Sequence, residues 1–181
     1  MAAPSLDSPN VGNYSVGKGN LYFKKEGDAD FRHMGNVASM EFTATIETLE
    51  HFSSMEGVKS KDLEVVLTKG GDLVITLEEW TAQNLGLALL GDVNEGAPGG
   101  PEVEIFSANA VSGAIRFIAS NEVGPKWDFD FYNVQFIPSG SINPISDEFA
   151  QFEVTGKVLV APADDSAHAG QFGLAKLTNL P

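Results

Sequence analysis

Apolar and polar residues alternate with a period of two along much of the chain, the pattern of strands with one buried and one wet face. Met40, Phe42, Ala44 and Ile46 alternate with Glu41, Thr43, Thr45 and Glu47; Leu63, Val65 and Leu67 alternate with Glu64, Val66 and Thr68. Between these runs lies ETLEHFSSMEGVKSKD, Glu47 to Asp62, which follows neither a period of two nor one of 3.6. A structureless connection longer than roughly 12 to 15 residues is uncommon in a compact domain unless it is functional or disordered. Leu49, Phe52, Met55 and Val58 argue against disorder, because disordered segments are usually poor in such residues. The segment reads as a protruding arm whose apolar side chains need a surface, either its own domain or another copy. As a hairpin it would reach on the order of 25 Å beyond the sheet, farther than a small core can cover.

Lys69-Gly70-Gly71-Asp72 is a turn signal, and Leu73, Ile75 and Leu77 resume the apolar face, so Leu63 to Leu77 reads as a hairpin. A helix follows, with Thr81 as N-cap, Leu85, Ala88 and Leu89 on one face, and Gly91 as left-handed C-terminal cap. Gly86 weakens that helix by ~1 kcal/mol of propensity, which points to close packing on a sheet. Gly91 to Pro101 is a Gly/Pro-rich loop. Beyond it Glu102 to Ala108, Ala114 to Ser120, Trp127 to Ile137 and Gln151 to Val160 read as strands, each with one wet face. Upstream, Tyr14 to Lys25 reads as a strand and Phe31 to Val37 as a short strand or loop. The expected class is mainly β: two packed antiparallel sheets, a β-sandwich or barrel, with one flanking helix and a long protruding loop.

A length of 181 residues fits one domain with a substantial core. Residues 1–13, punctuated by Pro4, Pro9 and Gly12, form an expected extended arm; 14–181 form the domain, including the protruding arm at 47–62 and a polar tail at 161–181. In that tail Phe172, Leu174 and Leu177 are a last apolar trace, suited to an edge strand or to docking. The formal charge of −14 argues against nucleic-acid binding, whose affinity comes chiefly from Lys and Arg, and against anionic membranes. With no Cys, disulfides and thiolate chemistry are excluded. The opening residues lack the basic region and apolar core of a signal peptide, and no run approaches the ~20 apolar residues of a membrane span. A soluble product made in the cytoplasm is the expectation.

Signals for chemistry are sparse. Gly12 to Gly19 has the glycine and lysine spacing of a phosphate loop, but Gly19 stands where Ser or Thr would hold magnesium, and Asn20-Leu21-Tyr22-Phe23 does not start a helix. His33, His51 and His168 fall in no metal-binding spacing. Asp128 and Asp130 share a strand face about 7 Å apart, compatible with paired-carboxylate hydrolysis, yet any acidic wet face gives that spacing. Asp164-Asp165 is a comparably weak calcium signal. No catalytic residue, cofactor or metal ligand is assigned, and the expectation is a protein that is not an enzyme.

The order of elements carries more. An alternating strand, ETLEHFSSMEGVKSKD, a second strand, and Glu78-Glu79-Trp80 leading into Asn84-Leu85-Gly86-Leu87-Ala88-Leu89-Leu90-Gly91 resembles the tail tube (major tail) protein of long-tailed, siphophage-like bacteriophages. Phe136-Ile137-Pro138-Ser139-Gly140 and Ser146-Asp147-Glu148-Phe149 resemble the second half of that family, and the likeness covers roughly Tyr14 to Pro162. It implies a structural virion protein whose hexameric rings stack into a tube, the conduit for DNA delivery. The implied partners are other copies, the tape-measure protein, the tail terminator and the baseplate or distal tail proteins. DNA would pass through the lumen without specific binding, and the implied location is the phage tail.

Under this resemblance Leu49, His51, Phe52, Met55 and Val58 are candidates for the contact between rings. Glu41, Thr43 and Thr45, with Glu64 and Thr68, are candidates to line the lumen, where carboxylates would repel phosphates and let the polymer slide. A merely solvated acidic face is the plain alternative. The alternative function is a β-sandwich binding module, carbohydrate-binding or adhesin-like. An exposed Trp platform would favour it, but Trp80 precedes the helix and Trp127 alternates with core-like Phe residues, so both read as structural.

Overall fold

The computed structural model describes residues 9–55, 57–138, 141–145 and 147–179. Residues 1–8 of the expected N-terminal arm, and Ser139, Gly140 and Ser146 of the resembling second half, lie outside the described residues. Residues 11–13 are not extended but form a 3-10 turn, with Asn10 Oδ1 accepting the Gly12 amide at 3.0 Å.

The alternating stretches form strands β1 (Gly19–Lys25), β2 (Arg32–His33), β3 (Val37–Ser53), β4 (Ser60–Leu77), β5 (Asp92–Asn94), β6 (Glu102–Glu104), β7 (Val111–Ala119), β8 (Lys126–Ile137), β9 (Phe152–Leu159) and β10 (Gly173–Asn179), with one helix, α1 (Ala82–Ala88). The fold is mainly β and antiparallel. Its two sheets are unequal. The larger has eight strands in the order β2-β1-β7-β8-β9-β4-β3, with β10 also paired to β8. The smaller is the β5–β6 pair, packed against α1. The apolar trace in the C-terminal tail is an edge strand, running from Gly173 opposite Phe131 to Leu177 opposite Trp127.

The core is the concave face of the large sheet. Leu21 and Phe23, Leu73, Ile75 and Leu77, Ile115, Val134 and Phe136, and Phe152 and Val154 alternate inward from five strands, and Leu87 and Leu90 close the top. The sheet curls enough for Phe42 of β3 to meet Phe131 of β8, their ring centroids 5.1 Å apart although two strands intervene. Burying side chains of this kind is the dominant favourable term in folding.

Two glycine expectations change. Lys69-Gly70-Gly71-Asp72 is no turn but lies inside β4, where Gly71 faces Ala44. A Cβ at Gly71 would come within 2.4 Å of Phe42 Cε2, so glycine makes room for the ring. The α1 start agrees with the sequence, Thr81 accepting the Asn84 amide at 3.2 Å. Its end does not: Leu90, with φ of 45°, takes the left-handed position because its side chain is needed in the core. Gly91 then donates its amide to Gly86 O at 2.9 Å, closing the helix end. The buried helix residues are Asn84, Gly86 and Leu87, while Leu85, Ala88 and Leu89 are only half-buried. Gly86 is packed closely, as its low propensity indicates, since a Cβ there would lie 2.9 Å from Val93 Cγ2.

Candidate functional site

The segment Glu47 to Asp62 is not a separate insert. The two flanking strands run through it, paired from Val37 opposite Leu77 out to Ser53 opposite Ser60. β9 pairs with β4 only from Leu77 to Gly71, so beyond Gly71 the β3–β4 ladder continues as a two-stranded ribbon. Leu63, Val65 and Leu67, read from sequence as a strand over the core, are exposed on this ribbon. Their alternation signalled a face but not what covers it.

Register decides which side chains share a side. Near the body, Met40, Phe42 and Ala44 lie opposite Ile75, Leu73 and Gly71 on the core side, and Glu41, Thr43, Thr45 and Glu47 lie opposite Val74, Asp72, Gly70 and Thr68 on the outer side. Thr68 donates to Glu47 Oε2 at 3.0 Å. Then Glu47 pairs with Thr68 while Thr48 pairs with Val66, leaving Leu67 unmatched in a β-bulge. The bulge shifts the alternation of β4 by one. Beyond it the outer side carries Leu49 and His51 opposite Val65 and Leu63, and the core side carries Thr48 and Glu50 opposite Val66 and Glu64. The ribbon therefore exchanges its faces: the side that is polar over the body becomes apolar on the arm.

Four of the five proposed lumen residues stand together on the outer side of the β3–β4 ladder, Glu41 and Thr43 within the sheet and Thr45 and Thr68 at the root of the ribbon. Glu64 does not, which corrects its grouping with Thr68: the bulge at Leu67 places it on the opposite side, invisible to a strict period of two. There Lys61 Nζ lies 2.7 Å from both Glu50 Oε1 and Glu64 Oε2. The hydrogen bond from Lys61, and then one from Thr48, holds the Glu64 carboxyl below the usual carboxylate range; the bonds to Glu50 and Glu64 raise the Lys61 ammonium. The proposed inter-ring residues divide three ways: Leu49 and His51 on the apolar side, Phe52 on the other, and Met55 and Val58 at the tip. His51 is held to Asp62 at 2.7 Å.

The sites considered for chemistry are otherwise engaged. Gly19 opens β1 rather than a helix, and a Cβ there would meet Phe117 at 2.3 Å. Asp128 accepts the Ala119 amide at 2.8 Å and Asp130 accepts from Arg116 Nε at 2.5 Å. His33 Nδ1 accepts the Gly35 amide, and His168 stacks on Tyr132 at 3.8 Å. Among the described residues no three His, Asp or Glu side chains converge as a metal site, and no helix is long and apolar enough to cross a membrane. Trp80 is structural, donating Nε1–H to Ala150 O at 3.0 Å against the edge of Phe152. Trp127, by contrast, is exposed.

The sequence profile of a family described as "Protein of unknown function UCP028589" matches residues 14–115 and 98–176. No curated protein matches the chain.

Proposed function

The chain belongs to that family, and from its own geometry we propose that it is a structural subunit that self-assembles into stacked hexameric rings, forming a tail tube of the siphophage kind through which DNA is delivered. One observation carries the reading. Beyond Gly71 the β3–β4 pair runs on as a two-stranded ribbon that presents Leu49, Leu63 and Val65 on one side, Phe52 on the other, and Met55 and Val58 at its tip to solvent. Monomeric proteins rarely leave this much apolar surface bare on a projecting element, and another copy is the partner that would cover it.

The face exchange suits such an assembly. The inner part of the outer side, with Glu41 and Thr43 in the sheet and Thr45 and Thr68 at the root of the ribbon, would form a wet wall that repels phosphate. From Leu49 outward the same side is apolar, so the arm would have to leave the wall and lie against a neighbour. The tape-measure, terminator and baseplate or distal tail proteins are the further partners proposed, within the virion, and no catalytic role is assigned.

Negative-stain electron microscopy of the purified chain at low and high salt, with its mass from light scattering, tests the reading. Rings or hollow tubes are expected. A chain that stays monomeric at every concentration in both salts overturns it.

A further inference from the structure

We propose that His51 makes assembly proton-linked: by taking up a proton below neutral pH it allows the apolar side of the arm to be buried against another copy. This rests on the assembly reading above. The ladder shifts register a second time near the tip. His51 pairs with Leu63 and Phe52 with Lys61, leaving Asp62 unmatched in a bulge. Asp62 is turned toward His51, whose Nδ1 lies 2.7 Å from its Oδ1. It thereby joins Leu49, His51, Leu63 and Val65, and beyond the bulge at Leu67 it is the one carboxylate of that apolar side among the described residues.

The charged neighbours leave Asp62 to His51. Among the described residues Asp62 forms an ion pair with His51 alone. Glu50, Glu64 and Lys61 stand on the other side of the ribbon, where Lys61 is held by the two glutamates. Glu47 is four residues nearer the body and accepts from Thr68. Of the charged residues at the tip, Lys59 lies past the last ladder pair, Ser53 opposite Ser60, and Glu56 lies outside the described residues.

In a free copy the His51 and Asp62 side chains are 68% and 45% exposed, and a pair so open to water adds little whether or not His51 is charged. Burial changes this. A carboxylate taken out of water alone is costly, whereas one beside an imidazolium is compensated. Histidine changes charge between about pH 5 and 8, so a contact that needs His51 charged takes up its proton there. A buried arm then holds up to one proton more than a free one, and docking tightens by up to about tenfold for each unit of pH fall. The contribution is complete at acid pH and is lost as pH rises through the range. Carboxylates ordinarily titrate near about pH 4, so the general repulsion between copies changes little over it.

The lowest concentration at which the chain assembles, read by light scattering at fixed salt between about pH 6 and 8, tests this. Wild type is expected to need on the order of tenfold less protein at the acid end than at the alkaline end. His51→Gln, which can still donate to Asp62 but carries no charge, is expected to keep the alkaline requirement throughout. Asp62→Asn is expected to assemble at the alkaline end as readily as wild type does at the acid end. His33→Gln and His168→Gln, which remove the other two histidines, are expected to retain the wild-type response. An equal acid response in His51→Gln, or an assembling wild type indifferent to pH, overturns the role of His51 and leaves the assembly reading standing. No assembly by any of these chains at any pH overturns both.

Discussion

Glu50 and Glu64 stand directly opposite each other in the arm's ladder, two like charges reconciled by Lys61, whose Nζ lies 2.7 Å from each carboxylate. Like charges directly opposite destabilise a strand pair, so Lys61 is the clamp of the ribbon. Lys61→Met is expected to speed amide hydrogen exchange several-fold at Thr48 to Phe52 and leave the body strands unchanged. Equal protection in the variant would show that the arm is held otherwise.

The clamp also sets a pH window. Glu64 has its pKa lowered in the fold, so its contribution is complete above the ordinary carboxylate value and is lost as pH falls through the lowered one. Lys61 has its pKa raised, so its contribution is complete below the ordinary lysine value and is lost as pH rises through the raised one. Arm protection is expected to be flat between these limits and to fall beyond each. Exchange measured from acid to alkaline pH, referenced to the body strands, checks this.

Gly71→Ala is expected to destabilise the body. The added methyl meets Phe42 Cε2 at 2.4 Å and Thr43 O at 2.9 Å, and overpacking of this kind costs about 1–3 kcal/mol. A chemical denaturation midpoint no lower than wild type would contradict the slot assigned to this glycine.

Asn84 is fully buried, accepts from Arg32 Nη1 at 2.8 Å, and donates to Met34 O and Glu79 O at 2.9 and 3.1 Å. It joins α1 to the segment before β3 and the segment after β4, and Arg32 already has one buried nitrogen, Nη2, unpaired. Burial lowers the Arg32 pKa, with Asp28 opposing it. Asn84→Ala is expected to cost about 2–3 kcal/mol by stranding these groups, read from the same denaturation curve.

Phe52→Asp is expected to leave the subunit folded, since the ribbon lies outside the core, and to stop stacking; normal tubes from this variant would remove Phe52 from the contact. Added salt is expected to promote assembly, because copies of formal charge −14 repel and screening weakens that repulsion. Light scattering that fell steadily as salt rose would count against apolar contacts as the driving force.

Much of this was legible along the chain. The period of two marked the strands, Thr81 marked the start of α1, and the apolar residues of Glu47 to Asp62 set that segment apart from an ordinary polar loop. These are local properties, written in the order of side chains and their hydrogen-bonding capacity. Four things were not local. Gly70-Gly71 reads as a turn until Phe42 is known to lie over Gly71. Gly91 reads as the left-handed cap until the core is known to need Leu90. Glu64 groups with Thr68 until register leaves Leu67 unmatched. Glu102 to Ala108 reads as one strand until Phe106 is seen in the left-handed region with its amide bonded to Leu89 O, which ends β6 at Glu104. Alternation and capping are decided within a few residues, and they were enough to specify a mainly antiparallel β fold with one helix and an apolar arm. Which side of the arm is apolar was settled in three dimensions alone, because register and close approach depend on residues far apart in the chain.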